Sequence, residues 1–527
     1  MKRLLLVFTA CALGWATGCG GGSSTIVPPP TSGFTNASLS GTYVFSMSGS
    51  TIDPNNDDAV DGFSRVGIFI ADGKGDIQTT GGLEDQHQFG SDNIFGISGG
   101  SYEVNSNGTG TLSLITSAGT VQYNITLVSS TTGYMVDMIS TGTETASGSF
   151  QLQTLTILPT GTYIFDFSGI APASGDPISI VGDLIPDSGS GSGSFSAGSY
   201  EDINDNGTFV TKAQISGGSY MMDSSNPGTG RGTAIIGGLN YVFYVIDGQH
   251  AQFMETDPDL VTGGTNLGEA IAQTSPPNNV SAFSDNSFVF VIGGSSGVGP
   301  ITRGVRLTAT GGSLSAILLD EDSAGVETNL SLLSSGTVTL DGDNSGRGTI
   351  TFTDNIKNTG TYSFVFYLNS ATQGVIQDVS TVLSGGVQTA VDVADGSILA
   401  QTGAPFTSSS LAANYAFNWS GVNGNNDTEE DFVGSFATAS TGNNGVVNYN
   451  EFGAGKQFLN VPFGGVIGIG GDGTASTGTQ STFIATLTGT PSVTINYFAF
   501  FANPDTILIM GTNSNRVIAG VLTAQTP

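Results

Sequence analysis

Acidic loops are the part of this sequence in which residue types and spacing could support chemistry. The stretch Asp202-Ile203-Asn204-Asp205-Asn206-Gly207 places side-chain oxygens at alternate positions before a glycine, as in the first half of a calcium loop. The bidentate glutamate of an EF-hand would fall at position twelve, which is Ala213, so an EF-hand is excluded. Asp341-Gly342-Asp343-Asn344-Ser345-Gly346 is a similar cluster. The candidate calcium ligands are Asp202, Asn204, Asn206, Asp341 and Asp343. The alternative is ordinary Asn and Asp turn chemistry, which needs no ion.

Residues for catalysis are scarce. The two histidines, His87 and His250, lie far apart in unlike contexts, which argues against a His-containing triad and a zinc cluster. Gly293-Gly294-Ser295-Ser296-Gly297 satisfies G-x-S-x-G, but no histidine follows it, as the hydrolase order requires. Glu429-Glu430-Asp431 and Glu84-Asp85 resemble glycosidase carboxylate pairs only in composition, because a short repeat hardly provides a long cleft. We therefore expect no catalytic residues, and no cofactor other than calcium.

The charge balance narrows the choice of partners. The chain has 12 Lys+Arg against 43 Asp+Glu, a net charge of −31. Nucleic acid binding needs clustered cations, so a nucleic-acid partner is excluded. The excess of acids favours solubility and could attract divalent cations.

The loops are expected to be held by β-strands, and one short stretch that recurs four times predicts such strands. Each copy places an aromatic residue, a Phe and a third large apolar residue at alternate positions. Successive side chains of a strand point to opposite faces, so each copy predicts a strand with one buried face. The copies are Thr42–Ser48, Thr162–Ser168, Ser287–Ile292 and Asn414–Ser420.

A second landmark ends each repeat and predicts a closing strand. A glycine precedes a Gln-Thr pair by five positions, and apolar residues alternate between them. The copies are Gly148…Gln153-Thr154, Gly268…Gln273-Thr274, Gly396…Gln401-Thr402 and Gly520…Gln525-Thr526. Glycine-rich turns and alternating strands between the landmarks predict an all-β chain of four tandem antiparallel meanders of about eight strands each. A closed β-barrel is favoured because it leaves no edge strand with unpaired backbone groups. A two-sheet sandwich and a propeller with two blades per repeat are the alternatives.

The landmarks also set the expected domain boundaries. Linkers are expected where proline and polar residues collect, as in Ser275-Pro276-Pro277-Asn278-Asn279. The predicted divisions are a signal peptide over 1–18, a Gly/Ser/Pro tether over 19–37, and β-repeats over 38–156, 157–275, 276–404 and 405–527.

The N-terminus carries a sorting signal. Met1-Lys2-Arg3 precedes the apolar run Leu4–Ala10, which is too short to span a membrane. Ala16-Thr17-Gly18-Cys19 then resembles a bacterial lipobox, which implies cleavage before Cys19 and lipid attachment to it. In Gram-negative bacteria such signals imply the outer membrane when the next residue is not Asp, and here it is Gly20. An ordinary signal peptide cut nearby and an uncleaved anchor are the alternatives.

The opening strand carries a wider resemblance. Leu39-Ser40-Gly41-Thr42-Tyr43-Val44-Phe45 resembles the L-x-G-x-Y-x-F opening of multi-repeat lipoproteins of environmental Gram-negative bacteria. It is also similar to the first strand of calycin-type barrels, such as lipocalins and allene-oxide-cyclase-like proteins. The first resemblance implies a lipid-anchored envelope protein and no particular activity.

The sequence therefore predicts a non-catalytic envelope protein with a structural, adhesion or binding role, in which loops make the contacts. One alternative is a small apolar ligand or carbohydrate bound within or on the barrels, and another is a cyclase- or hydrolase-like enzyme in one divergent repeat. The expected partners are the membrane, through lipid on Cys19, and an extracellular or periplasmic protein or glycan.

Overall fold

Side-chain and strand positions come from a computed structural model of the chain. It describes residues 33–52, 60–138, 143–172, 174–189, 191–258, 265–283, 286–333, 335–353, 360–384, 387–389, 392–424, 428–438, 445–452, 456–467, 469, 482–487 and 493–527. The signal peptide, Cys19 and most of the predicted tether lie outside these residues.

Nearly all the regular structure in these ranges is β-strand. The helical segments are the short 3₁₀ turns Asn36–Ser38, Val280–Phe283 and Ser408–Ser410. In the same ranges, no helix is long and apolar enough to cross a bilayer. The all-β prediction is confirmed.

The first two repeats contain nineteen of the strands. The first repeat contains β1 (Ser40–Ile52), β2 (Val60–Asp72), β3 (Asp76–Ile77), β4 (Gly82–Gln88), β5 (Ser91–Val104), β6 (Thr109–Thr116), β7 (Gly119–Leu127), β8 (Thr132–Asp137) and β9 (Glu144–Leu152). The second contains β10 (Tyr163–Ile170), β11 (Pro177–Leu184), β12 (Ser192–Ser194), β13 (Tyr200–Asp205), β14 (Thr208–Gln214), β15 (Ser219–Met222), β16 (Arg231–Ile236), β17 (Leu239–Val245), β18 (His250–Glu255) and β19 (Asn266–Ala272).

The other two repeats follow the same plan. The third contains β20 (Asn286–Ser296), β21 (Gly299–Thr310), β22 (Ser313–Ser323), β23 (Val326–Leu333), β24 (Gly336–Leu340), β25 (Arg347–Thr353), β26 (Gly360–Ser370), β27 (Gln373–Asp378), β28 (Thr381–Ser384), β29 (Val387–Thr389) and β30 (Val393–Ala400). The fourth contains β31 (Asn414–Asn423), β32 (Thr428–Ala437), β33 (Gly445–Glu451), β34 (Lys456–Ile467), β35 (Thr482–Leu487), β36 (Val493–Asn503), β37 (Thr506–Gly511) and β38 (Arg516–Ala524).

Strand pairing decides between barrel and sandwich. In the first repeat β1 pairs antiparallel with both β2 and β9, so the meander closes on itself. Pairing of β25 with β26 closes the third repeat, and the fourth is a closed barrel from β31 to β38. These three repeats confirm the predicted eight-stranded barrel.

The second repeat differs because its sheet stays open. Its strand order runs from β12 through β10 to β14, and within the described residues the two ends of this order do not pair. The serine- and glycine-rich segment at one end forms only the three-residue strand β12, and β14 at the other end is largely exposed. This repeat is therefore a barrel with a gap, a difference from the predicted closed form.

The predicted aromatic residues fill the barrel interiors. Tyr163, Phe165 and Phe167 are buried, and the rings of the two phenylalanines are 4.6 Å apart. In the first repeat Tyr43 stacks on Phe69 at 5.5 Å. The four interiors are thus packed cores, as the alternation of the opening strand predicted.

The other face of the opening strands is also buried, so the expectation of a single buried face was wrong. Val44, Ile164, Val289 and Ala416 point away from the barrel interiors and are almost completely buried. They are buried because the repeats pack against each other. Sequence alternation alone cannot distinguish an outer face in water from one covered by a neighbouring repeat.

Contacts between repeats form a head-to-tail cycle. The second strand of each repeat packs on late strands of the next: β2 on β17 and β18, β11 on β26 and β27, and β21 on β36 and β37. In the same way β32 of the fourth repeat packs on β7 and β8 of the first. Heterologous contacts of this kind make a ring when the rotation closes. We call the four contacts seams 1/2, 2/3, 3/4 and 4/1, after the repeats they join.

The two ends of each barrel are unlike. Each repeat begins and ends at the same barrel end, since Tyr43 pairs with Leu152 and Tyr163 pairs with Ala272. We call this end, which carries the linkers, the linker face, and the opposite end the distal face. The distal face carries the hairpin turns that follow β4, β6, β16, β20 and β22.

Candidate functional site

The predicted calcium ligand Asp202 lies buried in seam 2/3. Its two carboxylate oxygens accept hydrogen bonds of 2.7 Å from Nε and Nη2 of Arg347 in the third repeat. The hydroxyl of Tyr367 donates a third bond of 2.7 Å to the same carboxylate. Arginine and carboxylate are thus paired in the bidentate geometry that is strongest for such pairs.

Asp341 and Asp343 lie at the edge of the same seam. Nζ of Lys212 is 2.6 Å from one carboxylate and 2.7 Å from the other, and Nη1 of Arg347 is 3.0 Å from Asp341. Burial raises the pKa of Asp343, but hydrogen bonds from Lys212 and Ser345 outweigh it and bring the pKa to about 2. The three predicted acids therefore come together around two cations of the protein itself.

The two asparagines have different environments. Nδ2 of Asn204 donates to the carbonyl oxygens of Asp378 and Asp392 in the third repeat, at 2.9 and 2.8 Å. Asn206 has a φ of 46° in the turn between β13 and β14, which is ordinary turn chemistry. Across the described ranges, no group of three His, Cys, Asp or Glu residues could hold a metal ion. Calcium binding stays a prediction, and an ion would compete with Arg347 and Lys212 for oxygens.

Seam 1/2 repeats the same charged arrangement. Nε and Nη2 of Arg231 donate to the two carboxylate oxygens of Asp85 at 2.8 and 2.7 Å, and the hydroxyl of Tyr244 donates at 2.5 Å. These arginines belong to no sequence motif with an expected role. The signal was present, because the segment Gly-Arg-Gly-Thr occurs at the same place in two repeats of a chain with only 12 Lys+Arg.

The glutamine of each closing landmark crosses a seam. Its side-chain amide donates to backbone carbonyls of the next repeat, and the fourth glutamine reaches the first repeat. The contacts are Gln153 to Thr229 and Val245 (2.9 and 2.7 Å), Gln273 to Ser345 and Leu368 (2.6 and 2.7 Å), Gln401 to Phe501 (3.0 Å), and Gln525 to Asn107 and Leu127 (3.0 and 2.7 Å). The landmark therefore has a role between repeats as well as within them.

In seam 3/4 a phenylalanine stands at the position where seams 1/2 and 2/3 have a tyrosine. Phe500 directly precedes the carbonyl bound by Gln401, as Tyr244 and Tyr367 precede the carbonyls bound by their glutamines. Phe500 lies against Gly304, where an added Cβ would come within 2.2 Å of the ring. The glycine therefore makes room for the aromatic ring of the next repeat.

Seam 4/1 carries no counterpart of the Arg–Asp pair at that position. Thr109 stands where the second repeat has Arg231, and Asn448 stands where the first has Asp85. Elsewhere in the seam Asp431 accepts hydrogen bonds from Thr145 at 2.9 Å and Ser147 at 2.6 Å. Burial raises the pKa of Asp431 to about 7, although both hydroxyl groups lower it.

The closed barrels also hold a charge cluster inside. In the first, Arg65 is buried with its Nη2 2.6 Å from Glu144 and its Nη1 3.2 Å from the hydroxyl of Tyr123. In the third, Arg303 contacts Asp378, Asp392 and Glu321. In the fourth, Nε of Arg516 is 2.7 Å from Glu430. Each buried arginine is compensated by carboxylates, as a buried charge requires.

The remaining sequence candidates are separated by the fold. Glu84 points into the first barrel toward Arg65 while its neighbour Asp85 points into seam 1/2, because adjacent strand residues face opposite ways. In Glu429-Glu430-Asp431, Glu430 faces Arg516 inside the fourth barrel, whereas Glu429 and Asp431 both face seam 4/1. There the hydroxyl of Ser50 donates to Glu429, and those of Thr145 and Ser147 donate to Asp431. The adjacent acids of each stretch therefore point to opposite faces.

The serine motif and the histidines do not meet. Ser295 and Ser296 lie within the paired strand β20, so the motif does not form a strand-to-helix turn. His87 pairs with Asp92 at 2.6 Å, and His250 pairs with Asp247 at 3.0 Å.

Comparisons with known proteins give no family. No family model matches the chain, and no curated protein matches it. Among solved structures, two mutants of the vaccine antigen Transferrin Binding Protein B from Haemophilus parasuis Hp5 were matched. The double mutant is 13% identical, with 75% of this chain and 83% of that chain covered and a TM-score of 0.18. The single mutant is 13% identical, with 75% and 82% covered and a TM-score of 0.15. These scores carry no argument about function.

Proposed function

We propose that the protein is a non-catalytic, lipid-anchored envelope protein that displays a cycle of four β-barrel repeats, with boundaries at 38–156, 157–275, 276–404 and 405–527. It sits at the outer membrane of a Gram-negative bacterium, anchored through Cys19, and its distal face binds an extracellular or periplasmic protein or glycan. The observation that carries the proposal is the separation of the two faces: the linkers and Phe34, near the start of the described chain, lie on one, and the hairpins that differ among the repeats lie on the other.

The start of the described chain supports the orientation. Phe34, in the predicted tether, is buried in the core of the first repeat, and its N–H donates to the carbonyl of Ser106 at 3.1 Å. Ser106 belongs to a turn on the linker face. We therefore expect the chain toward Cys19 to leave from that face, which would direct the distal face away from the lipid.

The hairpins of the distal face present apolar side chains to solvent. Val298 and Val326, at the tips of two hairpins of the third repeat, are 77% and 66% exposed. Ile94 and Ile115 of the first repeat are exposed beside their own turns. Binding residues are concentrated on loops held by a rigid scaffold, and the cycle of packed barrels is such a scaffold.

The packed interiors favour this proposal over an apolar ligand inside the closed barrels. Tyr43, Phe69 and Phe150 fill the first barrel with ring centroids 5.5 to 5.8 Å apart. In the third, Phe290 lies 5.2 Å from Phe364. An apolar guest would have to displace these rings, which costs the packing that stabilises each repeat.

The anchor and the orientation can be tested together in a Gram-negative host. We expect wild-type protein to incorporate labelled palmitate and partition with detergent, and Cys19→Ala to do neither, with Cys11→Ala as the control that keeps the lipid. An epitope inserted between Gly297 and Val298 should be labelled by antibody on intact cells. Palmitate in the Cys19→Ala protein would refute the anchor. Labelling only after permeabilisation would place the distal face in the periplasm.

The non-catalytic part is tested separately. Purified protein should show no turnover of chromogenic esters, glycosides and peptides above a heat-denatured control. Turnover that disappears in Glu84→Gln or Glu430→Gln, with the fold intact by circular dichroism, would contradict it.

A further inference from the structure

The interior of the second barrel departs from that of the closed barrels. In the first repeat Arg65 lies two residues before Gly67, which pairs with Phe45. In the second repeat Ile180 lies two residues before Gly182, which pairs with Phe165. Ile180 therefore occupies the position of the buried arginine, and its side chain belongs to the apolar core of the second repeat.

The carboxylates that surround such an arginine are nevertheless present. Glu255 pairs with Tyr241 as Asp137 pairs with Tyr123 in the first repeat. Glu201 pairs with Gly182 as Glu84 pairs with Gly67. Both glutamates are buried. Burial, followed by the charges of Glu255 and then Glu201, raises the pKa of Tyr241, which places this tyrosine beside both acids.

No cation of the second repeat compensates these two acids. Residues 157–275 contain one lysine and one arginine. Lys212 contacts Asp341 and Asp343 in seam 2/3, and Arg231 contacts Asp85 in seam 1/2. Burial raises the pKa of Glu255 to about 9 and that of Glu201 to about 7. The interior thus holds two buried carboxyl groups without an internal counter-charge, and burial favours their protonated form until a cation is bound.

Polar atoms beside these acids also lack partners. Among the described residues, the buried atoms Oε2 of Glu255 and both Nδ2 and Oδ1 of Asn266 have no hydrogen-bond partner. Asn266 points inward at a position where the first and third repeats have Ala146 and Ala394. Native proteins rarely leave several buried polar atoms unpaired in one place, so these atoms indicate a bound polar group.

A turn of the distal face lies next to this site. Gly237, with a φ of 59°, lies beside Glu201, and an added Cβ there would come within 2.5 Å of a carboxylate oxygen. Glycine at this turn therefore lets the backbone lie close to the acid.

We propose that the interior of the second barrel binds a small organic cation carrying a guanidinium or primary ammonium group. The group lies between Glu201 and Glu255 beside Tyr241, in the place that the Arg65 guanidinium occupies in the first barrel. Asn266 supplies a further acceptor and a donor. A guanidinium suits this site because its planar fork of donors matches two carboxylates. The amide donor makes a metal ion the poorer fit, and among the described residues no group of three His, Cys, Asp or Glu could hold one.

Titration calorimetry on the full-length protein tests the proposal, with agmatine and guanidinium chloride as probes and uncharged urea as the comparison. At pH 8 we expect one agmatine per chain and no urea binding. Glu255→Gln should weaken agmatine binding by about tenfold or more, because it removes one of the two carboxyl groups that would ionise when the cationic ligand binds. Glu103→Gln, which removes an exposed acid, should leave binding unchanged.

A second variant tests the analogy with the other barrels. Ile180→Arg should place a guanidinium in the site, abolish agmatine binding and leave the melting temperature unchanged or higher. Absence of agmatine binding to the wild type would overturn the proposal, as would equal binding to wild type and Glu255→Gln. Stoichiometric calcium binding that depends on Glu255 would replace the organic cation with a metal and overturn it too. If Ile180→Arg fails to fold, Glu201→Gln decides the question by the criterion used for Glu255→Gln. None of these outcomes bears on the anchor at Cys19.

Discussion

Arg347 of the third repeat and Asp202 of the second are joined by two hydrogen bonds of 2.7 Å across seam 2/3. Both side chains are buried, so each charge depends on the other for compensation. Arg231 and Asp85 form the same pair across seam 1/2. Packing between repeats is therefore directed by a specific charged contact in two of the four seams.

Removal of Arg347 should strongly destabilise the protein. Arg347→Ala leaves the buried carboxylate of Asp202 uncompensated, and breaking a buried pair costs about 3–5 kcal/mol. Urea unfolding followed by circular dichroism measures the change. Lys74→Ala, which removes an exposed cation, is the control and should change the unfolding free energy by less than about 0.5 kcal/mol. Equal effects of the two substitutions would show that the pair contributes little.

Loss of Gln525 should open seam 4/1 first. This seam has Thr109 and Asn448 in place of the Arg–Asp pair. The two hydrogen bonds donated by Gln525 are therefore a larger share of its polar contacts. We expect Gln525→Ala to speed hydrogen exchange at Thr526, whose N–H donates to the carbonyl of Val128 across the seam, and to leave seam 2/3 protected. Gln273→Ala is the matched variant, and it should have a smaller local effect because Arg347 and Asp202 remain. The opposite order of effects would contradict this ranking.

Stability should be greater at pH 5 than at pH 8. Burial raises the pKa of Asp431 to about 7 from its ordinary value of 3.8, so the folded protein holds a proton that the unfolded chain releases. That contribution is fully present below about pH 4 and is lost as the pH rises to about 7. The raised pKa of Glu255, about 9, extends the loss to higher pH.

Melting temperatures across this range measure the effect. Asp431→Asn should flatten the part of the profile between pH 4 and 7, because an amide does not titrate. Asp343 has the opposite shift, to about 2, and affects stability only in stronger acid. A melting temperature that increases from pH 5 to pH 8 would show that these carboxylates are ionised in the folded protein.

Calcium should raise the melting temperature only modestly. The oxygens of Asp202, Asp341 and Asp343 already accept bonds from Arg347 and Lys212, so an ion would have to displace these cations. Melting curves in millimolar calcium and in chelator test this, with magnesium as the control. Lys212→Ala frees two of the acids and should increase the response to calcium. A shift of tens of degrees in the wild type would show that these loops form a calcium site.

The fold could be predicted from the sequence where a feature depends only on residues that are neighbours in the chain. Tyr163, Phe165 and Phe167 alternate, and alternation is a direct consequence of strand geometry, so their shared interior followed. The barrel followed from the number of strands and the short turns. The gap in the second repeat did not, because it depends on how short β12 is, and strand ends are not encoded by alternation.

The contacts between repeats could not be predicted in the same way. Gln153 and its counterparts were recognised as a landmark, but their carbonyl partners lie in the next repeat and have no sequence signature. The sequence predicts Asp202 as a metal ligand because an acidic loop has the same residue pattern whether its oxygens bind an ion or an arginine. The partner, Arg347, is distant in sequence, and only the packing of two repeats brings it to Asp202.

The head-to-tail contacts also restrict how this gene can change. An open solenoid can gain or lose a unit at little cost, whereas a cycle in which Gln525 returns to the first unit tolerates a single copy number. Deletion of one unit by recombination would leave two mismatched surfaces in water, each with apolar and ionisable groups that are now covered.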